Sequence, residues 1–281
     1  MNTSQPDPII HRILVALDAS AYSLAALEVA ARLAAALEAE LDGLYVEDIN
    51  LLHWADLPFT RVVRYPASVD EVVDKASMEE RLQQRAEQAR RALVNIAREL
   101  KLPWSFKVVR GQVTPVLLAA ALDADLLALG WISYPRTRRM RLGSTARALV
   151  TQLPRVVWLP PRRELPEGAP VFVTYDGSPM AQKALALAER LSTDLPIICV
   201  LTCPADAVRQ LKEEALARLT TKETVQITFR HLPEADTESL ARLVSMEHGG
   251  LLVIGGETMT LPAAALESLL DQLDCSVILV R

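Results

Sequence analysis

One eight-residue pattern occurs twice in this chain, 158 residues apart. Residues 13–20 read Ile-Leu-Val-Ala-Leu-Asp-Ala-Ser, and residues 171–178 read Val-Phe-Val-Thr-Tyr-Asp-Gly-Ser. Each is an apolar run that stops at an aspartate, passes one small residue, reaches a serine and opens a helix rich in alanine and leucine. An apolar run this short, feeding a helix, is the pattern of a strand buried on both faces in a βαβ unit. The spacing is far too long for a solenoid repeat and right for a whole domain. The 281 residues therefore read as two α/β domains of common origin. Any site is expected beyond the carboxyl ends of the strands.

The first half reads as strand 12–18, helix 20–37, strand 41–47, an irregular stretch 48–69 and a long helix 70–100. Val72, Leu82, Ala86, Ala89, Leu93 and Ala97 recur near helical spacing in that helix, with charged residues on its other side. Strand 104–110, a helix opened by Thr114-Pro115, strand 125–130, helix 143–152 and strand 155–159 complete the unit. Pro160, Pro161, Arg162, Arg163, Glu164, Gly168 and Pro170 fall in a stiff, polar linker. The second half repeats the order: strands 170–175, 195–202, 224–230, 250–255 and 275–280, with helices 179–191, 206–219, 236–247 and 262–272 between them. Five strands alternating with four helices argue for a doubly wound parallel sheet. The division is domain one over 1–160, a linker over 161–169 and domain two over 170–281.

Composition excludes several classes of function. Net charge is −5, so no global attraction to nucleic acid is expected. The most apolar segment, 116–131, is broken by Asp123 and Asp125, and no uninterrupted run reaches bilayer length. The first eight residues lack the basic and apolar regions of a signal peptide. Cys199, Cys203 and Cys275 have no metal or redox spacing and read as core residues, which fits a reducing cytoplasm. His11, His53, His231 and His248 are scattered, without ligand spacing. The apolar stretch 51–59 reads as a segment that caps the core or meets a partner, or as a lid.

Chemistry concentrates in two loops. After the fourth strand come Gly130, Ser133 and, after nine intervening residues, Gly143-Ser144 at the start of a helix. Glycine lets a backbone approach a phosphate closely, and a serine at a helix start joins backbone amides at the positive end of the helix dipole. The loop between holds Arg136, Arg138, Arg139 and Arg141, four guanidinium groups suited to a polyphosphate and equally to a solvated loop or a partner surface. No Walker loop, nucleophile elbow, zinc helix or triad is present. Asp18 and Asp176 also fit a plain helix-start role, since Asp and Ser favour those positions in any protein.

This layout resembles the universal stress proteins in their tandem two-domain form, over essentially the whole chain. In ATP-binding members the signature runs glycine, two residues, glycine, nine residues, glycine, then serine or threonine. Gly130, Gly143 and Ser144 keep that spacing, with Ser133 where the second glycine belongs. The resemblance implies two doubly wound, parallel five-stranded sheets of the adenine nucleotide alpha hydrolase kind, joined as an internal pseudo-dimer. It also implies ATP in domain one, with or without Mg²⁺. Val46 would meet the base, Ala16 would lie beside it, and Asp18 would be near the ribose or a phosphate-bound metal. Gly130, Ser133, Gly143 and Ser144 would surround phosphate, with Arg138 and Arg141 as further contacts.

Domain two keeps Asp176-Gly-Ser178, but only residues 256–261 separate Gly255 from Pro262, and the arginines and the Gly-Ser pair are missing. It is expected to have lost the nucleotide site and to complete the pseudo-dimer through antiparallel pairing of 156–159 with 277–280, as is usual in the family. Three functions follow: a cytoplasmic, nucleotide-responsive regulator of a protein partner, an interaction protein with both sites decayed, and a weak ATPase. A homodimer of the whole chain stays open.

Overall fold

The structure is a computed structural model that describes residues 10–57, 61–64, 69–72, 74–130, 132–133, 140–141, 143–153, 156–161, 166–192, 195–220, 225–233, 236–257 and 263–281. The first half runs β1 (Arg12–Leu17), α1 (Ala21–Leu37), β2 (Glu40–Asp48), α2 (Ile49–Ala55), β3 (Arg61–Arg64), β4 (Val69–Val72), α3 (Lys75–Glu99), β5 (Trp104–Gly111), α4 (Val113–Ala121), β6 (Leu126–Ala128), β7 (Ile132–Ser133), β8 (Met140–Arg141), α5 (Ser144–Gln152) and β9 (Val156–Leu159). The second half runs β10 (Val171–Tyr175), α6 (Pro179–Ser192), β11 (Ile197–Leu201), α7 (Val208–Arg218), β12 (Ile227–His231), α8 (Thr237–Met246), β13 (Leu251–Ile254), α9 (Ala263–Gln272) and β14 (Ser276–Leu279).

The two five-stranded units do not stand apart. They form one ten-stranded sheet in the order β12-β11-β10-β13-β14-β9-β6-β1-β2-β5. All neighbours are parallel except β9 and β14, which meet antiparallel as expected. Within each half the chain winds outward from its first strand in both directions, which gives the doubly wound topology.

Side-chain alternation on the strands divides the interior into two layers. Ile13, Val15 and Leu17 of β1 face one cluster with Leu27, Ala30 and Ala34 of α1 and Leu93 of α3. Leu14 faces the other, with Leu117, Leu149 and, from the second half, Leu240 and Leu269. The helices lie on the sheet through buried residues three or four apart, such as Leu82, Ala86, Ala89, Leu93 and Ala97 on α3. Removing one of the fully buried leucines, as in Leu93→Ala, costs ~2–5 kcal/mol on mutational precedent.

Two expectations need correction. The long helix begins at Lys75 and not at residue 70, because Asp74 caps it: its Oδ1 accepts from the Ser77 amide at 2.8 Å. Val72 lies in β4, paired across an antiparallel hairpin with Arg61 of β3. The stretch 48–69 also contains α2, capped by Asp48, whose Oδ1 accepts from the Asn50 amide at 2.9 Å. Leu52 and Ala55 are buried in α2, while Trp54 and Leu57 stay exposed.

The join between the halves pairs Val277 with Leu159, Ile278 with Trp158 and Leu279 with Val157. Trp158 and Ile278 hold the same place in their strands, so equivalent residues face each other and a pseudo-twofold axis passes between them. The buried Trp158 indole N–H donates to Ser276 Oγ at 2.8 Å. On the α5–α9 side, Arg147 pairs with Glu267 at 2.7 Å, a half-exposed contact worth about 0–1 kcal/mol.

Candidate functional site

The strand order reverses between β1 and β6, and the crevice beyond their carboxyl ends holds Asp18 and Gly130. Asp18 Oδ1 accepts the Ser20 amide at 2.9 Å, and the Asp18 amide donates to Ser23 Oγ at 3.3 Å. Ser20 caps α1 by accepting the Ser23 amide at 3.2 Å. This turn holds Ala19 at φ 61°, a left-handed conformation that Gly177 takes in the second half at φ 83°. Asp18 is open to solvent at the crevice, yet enough protein surrounds its carboxyl for burial to be the largest single influence, pushing it up. Hydrogen bonds from the Ser20 and Ser23 side chains and the Ser20 amide together outweigh burial and leave the carboxyl below its usual range. It is an anion at neutral pH.

Gly130 rests on the first turn of α1. A Cβ there would meet Ser23 N and the Tyr22 carbonyl carbon and oxygen, each at 3.1 Å. Ala16 and Val46 share the α4–α5 face of the sheet, where both are half-buried, so they flank the crevice together. Gly143 is buried and occupies the N-cap position of α5, where it has no side chain to cap the first amides of the helix. Ser144, exposed, is the first residue of α5. Such a terminus is suited to an anion. Ser133 and Arg141 lie on the paired arms of a hairpin, Ser133 opposite Met140 and Arg141 opposite Ile132. Arg138 lies outside the described residues.

The second half differs at the equivalent places. Its reversal falls between β10 and β13, with Asp176 accepting the Ser178 amide on Oδ1 at 3.0 Å. Where the first half has Ala16, Thr174 is fully buried and its hydroxyl donates to Gly255 O at 2.8 Å and accepts from Gly255 N at 3.1 Å. The next residue, Gly256 at φ 127°, lies so close to Asp176 that a Cβ would come within 2.8 Å of the carboxylate. The turn after β13 is thus clipped to β10 and folded onto the aspartate. Nearby, the buried Tyr175 hydroxyl donates to Glu214 at 2.9 Å, and burial followed by this bond raises its pKa.

Sequence reasoning missed several neighbours of the crevice. Ser23 lies one helical turn beyond a recognised motif, with no pattern of its own. Glu47, buried beside Val46, accepts from Arg110 at 2.9 Å, and Arg110 also pairs with Glu79 of α3 at 3.0 Å. Sixty-three residues separate Glu47 from Arg110, so only the β2–β5 register reveals the pair. Among the described residues no group of three or more His, Cys, Asp or Glu could hold a metal ion. All three cysteines are free and buried, and burial pushes the Cys199 and Cys275 thiols up to about 12.

The fold defines a duplicated α/β protein of the doubly wound class. Residues 10–159 match the model of the Universal stress protein family, and the chain belongs to that family in its tandem form. It is similar over its whole length to a universal stress protein from Archaeoglobus fulgidus DSM 4304, with 14% identity and a TM-score of 0.71, covering 98% of this chain and 97% of that one. A functionally unknown protein from Pseudomonas aeruginosa PAO1 matches at 16% identity and a TM-score of 0.61, covering 97% and 93%. At these identities the two structures speak for the fold. No helix among the described residues is long and apolar enough to cross a membrane.

Proposed function

We propose that the first half binds ATP, and that occupancy reshapes the 130–144 segment into a surface that a protein partner reads. The observation that carries this reading is the contrast between the two strand-order reversals. At the first, Ala16 has no hydroxyl to tie down the turn after β6, and Gly143 leaves the amides of α5 without a side-chain cap. At the second, the Thr174 hydroxyl ties down the turn after β13, and Gly256 lies against Asp176. Family membership supports an adenine nucleotide as the ligand.

In this reading Val46 and Ala16 border the base. Gly130, Ser133, Gly143 and Ser144 meet the phosphates, with Arg138 and Arg141 adding positive charge from the loop. Mg²⁺, if carried in with the nucleotide, would neutralise phosphate charge, and the ionised Asp18 is the carboxylate suited to face it. Among the described residues Asp18 is the carboxylate at the crevice, and this reading assigns the site to regulation. Buried, unpaired thiols fit a reducing cytoplasm.

Isothermal titration of nucleotide-stripped protein with ATP tests the proposal. Micromolar binding that Gly143→Trp abolishes supports it. Absent or millimolar binding, or binding indifferent to Gly143→Trp, overturns it and leaves a pure interaction protein, the reading favoured by Ser133 in place of the motif glycine. Phosphate release that Asp18→Asn abolishes would instead make it a weak ATPase.

A further inference from the structure

On the face of the sheet that carries α1 and α6, the two halves leave an open groove of about 400 Å³. Trp158 and Ile278, the facing pair at the β9–β14 join, form its floor. Leu33 of α1 and Leu191 of α6 are among its apolar walls, and Arg32 and Arg190 line it as well. The two arginines are equivalents in the repeat. Each lies 14 residues beyond its aspartate, Asp18 or Asp176, and each is followed by one of those leucines.

The groove therefore sits on the pseudo-twofold axis, where duplication delivers two guanidinium groups to one apolar trough. Both arginines are exposed. Among the described residues neither forms an ion pair, unlike Arg12, Arg90 and Arg110. The site is separate from the nucleotide crevice. Val171 and Leu251, which also line the groove, are the first residues of β10 and β13, so it opens toward the amino ends of those strands.

We propose that this groove binds one free long-chain fatty acid, with its acyl chain on Trp158, Ile278 and the two leucines and its carboxylate at Arg32 and Arg190. The groove's volume of about 400 Å³ lies within the ~300–1,000 Å³ of small-ligand pockets. Apolar walls select a hydrocarbon, and two exposed guanidinium groups beside them select a carboxylate, which arginine holds bidentately.

Calorimetric titration of the delipidated full-length chain with dodecanoate, below its micelle concentration, tests the assignment. One equivalent is expected to bind, and each methylene added between decanoate and tetradecanoate should tighten binding about fourfold. Arg32→Glu with Arg190→Glu should weaken dodecanoate at least tenfold while leaving dodecanol within twofold. Leu191→Trp, which fills the trough, should weaken both, whereas Gly143→Trp should change neither. No saturable binding, dodecanol as tight as dodecanoate, or full affinity in Leu191→Trp would overturn the proposal. So would sedimentation showing a dimer that Leu191→Trp dissociates, which would assign the face to a second copy of the chain.

Discussion

Thr174→Val isolates the clip that separates the two halves. Valine keeps the shape of threonine and removes only the hydroxyl, which here serves Gly255 twice, at 2.8 and 3.1 Å. Both residues are buried, so the variant leaves an N–H and a C=O away from water, at ~1–3 kcal/mol for each unsatisfied group. Burying a methyl group in place of a hydroxyl returns roughly 1 kcal/mol. The net loss is about 1–5 kcal/mol, and its midpoint of about 3 kcal/mol corresponds to roughly 6–12 °C in Tm for a unit of this size. Urea and thermal unfolding give the global figure, and hydrogen exchange at the Gly255 amide reads the local one. Exchange at Gly255 should rise well above that of neighbouring β13 amides. A variant within about 0.5 kcal/mol of the parent, with Gly255 still protected, would refute the reasoning. Ala16→Thr is the reciprocal change: it should bring the clip to the first half and weaken ATP binding there.

Ser276→Ala should strand the Trp158 indole N–H at the join and cost ~1–3 kcal/mol, with the cost shrinking in a Trp158→Phe background; equal costs in both would show no coupling. Acidification should destabilise the fold. Asp18, Asp74, Asp236 and Glu87 all have lowered folded-state pKa values, Glu87 to about 2 through hydrogen bonds from Arg90 and Arg91. Their stabilising contribution is present above pH ~4 and is lost as pH falls through the lowered values, so the urea midpoint should drop between about pH 4 and 2. Glu87→Gln should flatten that drop, and a midpoint that rises on acidification would contradict it. Cys199 and Cys275 should resist a thiol reagent at pH 8 until the chain unfolds, as their burial requires; rapid labelling of native protein would contradict the packing.

The architecture was legible because it is written in repetition and alternation. The two Asp-x-Ser turns place β1 and β10 directly, and the pairing of 156–159 with 277–280 followed from the family resemblance. Residues 61–72 were not legible as a hairpin. Each arm is four residues long, and Val69 and Val72 fall three apart, a spacing that continues into the helix periodicity of Leu82 and Ala86. Asp74 as an N-cap was the available signal for the true helix start. The crevice was legible in part. Asp18 and Gly130 share the β1–β6 reversal. Gly143 caps α5 and Ser144 opens it, where the Gly-Ser pair had placed a helix start. The Thr174–Gly255 contact was not, because 81 residues separate the partners and only the β10–β13 register brings them together.

The antiparallel meeting of β9 and β14 has an evolutionary consequence. Two separate subunits joined this way would fall apart on dilution, and every mutation would strike both at once. Within one polypeptide the partner is always present at high effective concentration, and each copy mutates alone. One copy is then free to become scaffold while the other keeps a ligand, and the cleft along the seam belongs to neither copy alone.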